Sequence, residues 1–109
     1  MENKKRKLSN PDDFDFFIIG NVEMCRPCRV AHDRLKKFIR EHPEYTFGEW
    51  KFDWETKSVG NSSGRTWLKE QQESDQTLAT HKTIPMVWVN GKFIGGRKEL
   101  FEILDNLER

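Results

Sequence analysis

Apolar positions along this chain change their spacing from segment to segment, and each change predicts an element. Phe14-Asp15-Phe16-Phe17-Ile18-Ile19 is dense in aromatic and β-branched residues and predicts a strand that Gly20-Asn21 closes. From Arg29 to Ile39 the spacing becomes helical. Ala31, Leu35, Phe38 and Ile39 share a stripe, Arg34, Lys36, Lys37 and Arg40 face solvent, and Pro43 ends the segment. Phe47, Trp50, Phe52 and Trp54 predict a second strand, whose strict alternation over the last three implies one buried, core-forming face. Glu55 to Arg65 has no period and is rich in Ser, Gly and Asn, so it reads as a long irregular loop.

A weaker helical pattern follows on Trp67, Leu68, Leu78 and Ala79, interrupted by a polar run from Lys69 to Thr77. Met86-Val87-Trp88-Val89, Asn90-Gly91 and Lys92-Phe93-Ile94 form a hairpin signal, because Asn-Gly suits a type I′ turn. Gly95-Gly96 leads into a final helix with Leu100, Ile103, Leu104 and Leu107 on one face. The order is β-α-β-α-β-β-α. A right-handed crossover makes the first two strands parallel and the hairpin adds an antiparallel pair, giving an α/β fold with a four-stranded mixed sheet and flanking helices.

Length and charge narrow the classes. At 109 residues the chain suits one domain, read as residues 13–109 behind a flexible N-terminal tail, 1–12. The formal net charge is +1 and no apolar stretch approaches the ~20 residues of a membrane span, so neither nucleic acid nor membrane is an expected partner. Lys4-Lys5-Arg6-Lys7 reads as part of the solvated tail, and Asn61-Ser62-Ser63 as loop sequence and not a glycosylation site. The charged start and the short, acid-interrupted first apolar run do not resemble a secretory signal, so the expected location is cytoplasmic and reducing.

In that setting the chain's two cysteines carry the most information, because they stand together as Cys25-Arg26-Pro27-Cys28 between the first strand and the first helix. A thiol at a helix N-terminus meets unpaired backbone N–H groups and the positive end of the helix dipole, both of which stabilise its thiolate. Arg26 and Arg29 add positive potential. The pair is therefore read as a redox dithiol.

The C-x-x-C turn, Thr83-Ile84-Pro85 before the third strand and Asn90-Gly91-Lys92-Phe93-Ile94-Gly95-Gly96 after it resemble the glutaredoxins of the thioredoxin-like fold, over about Phe14 to Leu107. The long loop after the second strand resembles phage or viral members. The resemblance implies that Cys25 is the nucleophile and Cys28 the resolving thiol. It implies that Pro85 is a cis-proline, with the Ile84 backbone presented to an extended substrate. It places glutathione, as co-substrate, against Arg26, Thr83, Ile84, Pro85, Gly95, Gly96, Arg97, Lys98 and Glu99. No tightly bound cofactor and no metal are expected, and the expected state is a monomer. Clients would be disulfide-bonded proteins, with ribonucleotide reductase among the candidates.

Five positions depart from the family pattern. Val22 stands where a lysine is common, Met86 where a polar residue follows the proline, Glu99 where an aspartate is common, and Arg-Pro replaces Pro-Tyr between the cysteines. Losing such groups removes charge-assisted bonds to the glutathione carboxylates. The alternative is therefore a thioredoxin-like electron donor recycled by thioredoxin reductase. Two non-enzymatic alternatives are an iron–sulfur module and a zinc module, the latter drawing on His32, His42 and His81, which do not form a second paired ligand motif.

Overall fold

The computed structural model describes residues 11–109, so the basic cluster of the expected tail lies outside the described residues. Strand β1 (Phe16–Gly20) is central. Its Phe-Phe-Ile-Ile run is buried on both faces, as a strand between two helical layers requires. Strand β2 (Phe47–Asp53) pairs parallel to it, Phe16 opposite Phe47. On its other side β4 (Met86–Val89) runs antiparallel, Ile19 opposite Met86, and β5 (Lys92–Gly95) follows β4. Asn90 (φ 52°) and Gly91 (φ 80°) make the expected turn, both in the left-handed region that type I′ demands.

Helix α1 (Arg26–Glu41) makes the crossover from β1 to β2 and packs on one face with α4 (Arg97–Leu107). There Phe16 and Ile18 meet Leu35, Phe38, Leu100 and Leu104. Truncating one such side chain, as in Leu35→Ala, typically costs about 2–5 kcal/mol. Phe17 and Ile19 point the other way, into an aromatic-rich core with Leu68, Leu78, Trp88 and Phe93 beneath α2 (Ser62–Ser74) and α3 (Gln76–Thr80).

Four expectations are corrected. The sheet has five strands, in the order β3-β2-β1-β4-β5, because Ser58–Val59 (β3) folds back antiparallel on Phe52 and Asp53. The supposed loop therefore holds an edge strand and the start of α2, whose first turn is capped by the Asn61 side chain. The weak helix is two helices, because Asp75 ends α2 in an extended conformation and caps α3 through the Leu78 N–H, 3.2 Å away. Pro11 and Asp12, placed with the tail, belong to a 3₁₀ turn over Pro11–Asp13, with Pro11 buried.

Candidate functional site

Strand β1 delivers the chain to the site through Gly20 and Asn21. A Cβ on Gly20 would stand 2.9 Å from Cys28 Sγ, so only glycine lets the strand end pass the buried thiol. Asn21, 4% exposed, is the organiser of the next turn. Its Nδ2 donates to the Phe52 carbonyl (3.1 Å), its Oδ1 accepts from the Glu23 and Met24 N–H groups (3.1 Å each), and its carbonyl accepts from the Cys25 N–H (2.9 Å). The loop that carries Cys25 is thus tied to β2 by one buried amide. Arg29 adds a further tie, donating from Nε to the Val22 carbonyl at 3.2 Å.

Cys25 is the N-cap of α1. Its backbone is extended, and its Sγ accepts from the Cys28 N–H at 3.2 Å. Pro27, in the first helical turn, needs no hydrogen-bond partner for its missing N–H. Both cysteines are free thiols, but their settings differ: Cys25 is half-buried and Cys28 is 1% exposed. Burial, followed by the Cys25 side chain, pushes the Cys28 thiol up to about 12, while the Asn21 backbone opposes the shift. A cavity of about 220 Å³, lined in part by Val22, His32 and Glu49, reaches Cys28 from the α1 side.

The pairing of β4 with β1 brings Ile84-Pro85 alongside, in a cis peptide bond. The Ile84 carbonyl lies 4.0 Å from Cys25 Sγ, the outer limit for a thiol donor. Pro85 is buried, and a Cβ on Gly96 would come within 3.3 Å of its carbonyl oxygen. Cys25, Cys28, Ile84, Pro85 and Gly96 therefore converge at one end of the sheet.

The remaining predicted residues are placed around that centre. Thr83 and Arg26 are exposed. Gly95 takes φ 124°, a conformation that favours glycine. Glu99 does not stand free for a ligand: its Oε1 accepts from the Gly96 N–H at 2.8 Å, and this bond holds its carboxyl below the ordinary range. Arg97 lays its guanidinium over the Phe101 ring, 5.8 Å from the centroid, and Lys98 is exposed.

The histidines are distributed elsewhere. His32 meets Glu49 (2.8 Å), His81 meets Thr83 (3.4 Å) and the Phe93 ring, and His42 stacks on Phe38. Among the described residues, the cysteines join no cluster of three potential metal ligands. Sequence reading passed over Gly20 and Asn21 as a strand terminus. The available signal was an Asn two and three residues ahead of N–H groups that it could hold in a turn.

Comparison of the sequence with protein-family profiles and with curated proteins finds no match. The fold does match solved structures. A glutaredoxin 1 from Francisella tularensis, complexed with cacodylate, superposes with a TM-score of 0.53 at 21% identity, over 85% of this chain and 94% of the other. An oxidized glutaredoxin 2 from Chlamydomonas reinhardtii gives 0.52 at 19% identity, over 87% and 75%. The chain has the thioredoxin-like fold of glutaredoxins, with one additional short edge strand relative to the four expected.

Proposed function

We propose that this chain is a glutathione-linked dithiol oxidoreductase, residues 11–109 forming its working domain, which reduces protein disulfides and glutathione mixed disulfides. The observation that carries this reading is the asymmetry of the pair: Cys25 caps α1 within reach of solvent while Cys28 is sealed beneath it. The Cys25 thiolate attacks one sulfur of a client disulfide, forming a mixed disulfide and expelling the other sulfur as a thiolate that takes a proton. Cys28 then loses its proton and attacks Cys25 Sγ, which closes the intramolecular disulfide and releases the second client thiol. Two glutathione molecules return the pair to dithiol and leave as glutathione disulfide, so two electrons pass for each disulfide reduced.

The Cys28 N–H donates to Cys25 Sγ in the free protein, so the sulfur that attacks is held at the first turn of α1. Burial holds Cys28 protonated until the mixed disulfide forms beside it, which supports the assignment of roles. A reducing, cytoplasmic setting and a monomeric state fit this reading, and ribonucleotide reductase is one client of suitable chemistry. Among the described residues no helix is long and apolar enough to cross a membrane.

A second reading, recycling by thioredoxin reductase, is favoured by one observation. Glu99 already occupies the Gly96 N–H at the start of α4, where a glutathione carboxylate would otherwise bind. The test is NADPH-coupled reduction of a small mixed disulfide, run once with glutathione and glutathione reductase and once with thioredoxin reductase, with Cys25→Ser as control. Turnover in the first arm, lost in the variant, is the expected result. Turnover confined to the second arm would replace glutathione as the reductant, and turnover in neither would overturn the oxidoreductase reading.

A further inference from the structure

The extra edge strand changes the ground beside the nucleophile. Trp54, at the bend between β2 and β3, is 46% exposed and meets Phe52 edge to face with ring centroids 5.3 Å apart. On one side of this ridge lies a depression shared with Met24, which is 75% exposed and next to Cys25 in the chain. On the other side runs a groove of about 1040 Å³, floored by Phe52, Trp54, Leu68, Ile84 and Met86. Ile84 is the residue whose carbonyl faces Cys25 Sγ. Groove and nucleophile therefore have Ile84 as a common neighbour.

The charge of that groove is one-sided. Its ionisable lining side chains are Lys57, Arg65, Lys69, His81 and Lys82, and none is acidic. They come from the β2–β3 turn, from α2 and from the segment ahead of Pro85, so the field is assembled by the fold and not by one run of sequence. Arg65 is held in place by the Val59 and Gly60 carbonyls (3.2 and 2.9 Å), both at the edge strand. The chain's own N-terminal segment carries Lys4-Lys5-Arg6-Lys7 and would be repelled.

We infer that this groove docks an extended acidic segment of the client protein, with an aromatic or aliphatic side chain against Trp54, and so selects which disulfides reach Cys25. The inference rests on the oxidoreductase reading and names its substrate class. Its logic is a division of labour. The apolar floor removes hydrocarbon from water, and the basic rim steers and orients acidic partners and disfavours basic ones. The groove's volume lies at the top of the roughly 300–1,000 Å³ range of clefts that enclose small ligands, as suits a longer peptide.

The experiment uses three synthetic peptides that share one central cysteine. One flanks it with Trp and three Asp, one with Trp and three Lys, and one with Ala only. Binding is measured by calorimetry on reduced wild-type protein with the cysteine replaced by serine. Reduction is measured in single turnover on the disulfide-linked peptide dimers, without glutathione. We expect the acidic peptide to bind and react about tenfold better than the basic one at low salt, with the ratio shrinking toward unity at about 0.5 M salt.

Lys57→Glu combined with Lys69→Glu should invert the ratio. Trp54→Ala should weaken the acidic Trp peptide by about fivefold at an unchanged melting temperature, since the side chain is at the surface. Equal affinities in the wild type, or a preference that survives the double charge reversal, would overturn the inference even if every disulfide is reduced. Selective binding without any reduction would keep the groove and overturn the oxidoreductase reading instead. In a further arm, the reaction of a neutral peptide–glutathione mixed disulfide should be unaffected by the charge reversals. A loss there equal to the peptide's would make the groove a glutathione subsite and overturn client docking. Self-association that the acidic peptide displaces would assign the face to a second copy, with the same consequence.

Discussion

Helices α1 and α4 both begin at the site, and both have the partial positive charge of a helix N-terminus, but they are finished in opposite ways. At α1 the group that accepts the free N–H is Cys25 Sγ itself, so the cap and the proposed nucleophile are the same atom. At α4 the chain supplies Glu99, whose carboxylate closes on the Gly96 N–H. Each completed cap is worth on the order of 1 kcal/mol. One N-terminus is left to chemistry and the other is occupied by the protein's own anion, so an incoming carboxylate must displace Glu99 or bind elsewhere.

The largest effect that would sharpen this contrast is at the first cap. Cys25→Ser should lower disulfide reduction by at least about 10³-fold, because serine keeps an oxygen cap but not a nucleophilic sulfur. Cys28→Ser should instead stall the reaction as a covalent adduct on Cys25, visible as a mass increase in the intact protein. An adduct on a Cys25→Ser protein would break the assignment.

Next in size is the difference between the two thiols. With Cys28 buried and its thiol pushed up to about 12, it holds its proton at pH 8, so iodoacetamide should modify Cys25 alone in the folded protein. The same shift has a stability consequence. Between the ordinary value of 9.0 and about 12 the unfolded chain releases the Cys28 proton while the folded chain keeps it. Stability should therefore be intact below that window and decline across it, as a denaturant titration of the reduced protein in rising pH would show. Cys28→Ala should remove this part of the decline.

A middle-sized effect concerns the tie that holds the first cap in position. Asn21→Ala leaves the Phe52 carbonyl and the Glu23 N–H without their side-chain partner, while the Met24 N–H keeps only the Asn21 carbonyl. A loss of about 1–3 kcal/mol in chemical denaturation is expected. The reaction of Cys25 should slow as well, while the α4 cap is unaffected.

The smallest effect is at the second cap. Glu99→Gln should cost no more than about 1 kcal/mol at neutral pH, since the amide oxygen can still accept the bond. Because the Glu99 carboxyl sits below its ordinary range, its contribution is complete above that range and is lost as pH falls through it to the lowered value. The variant should accordingly show a smaller drop in melting temperature between about pH 5 and pH 3 than the parent. Glu99→Ala, which frees the Gly96 N–H, reads the competition: a KM for a glutathione mixed disulfide that falls severalfold shows that Glu99 competes with that ligand, and an unchanged KM places the carboxylate elsewhere.

The first cap was legible in the sequence and the second was not. Cys-x-x-Cys after a strand and before a helical stripe has one simple placement, and Asn90-Gly91 has one simple turn. Ser58 and Val59 carry too few residues for a period to show, and Ser, Gly and Asn around them are turn formers in any context. Their pairing comes from Phe52 and Asp53 across the sheet. Trp54 read as core because it continues the alternation of Trp50 and Phe52, yet the strand ends at Asp53 and the ring is left at the surface. Whether Glu99 binds its own helix or a ligand depends on backbone direction at Gly96, which no spacing of residues encodes.

The register between β1 and β4 has a further consequence. Ile19 stands opposite Met86, and this pairing helps set Cys25 against a peptide bond 59 residues away along the chain. The surroundings of Cys25 are made of two distant stretches that meet only when the sheet is closed. A fragment cut around the motif would lack the Ile84 carbonyl, and the intact chain assembles this setting on folding and loses it on unfolding. The environment of the cysteines is thus a readout of the integrity of the sheet.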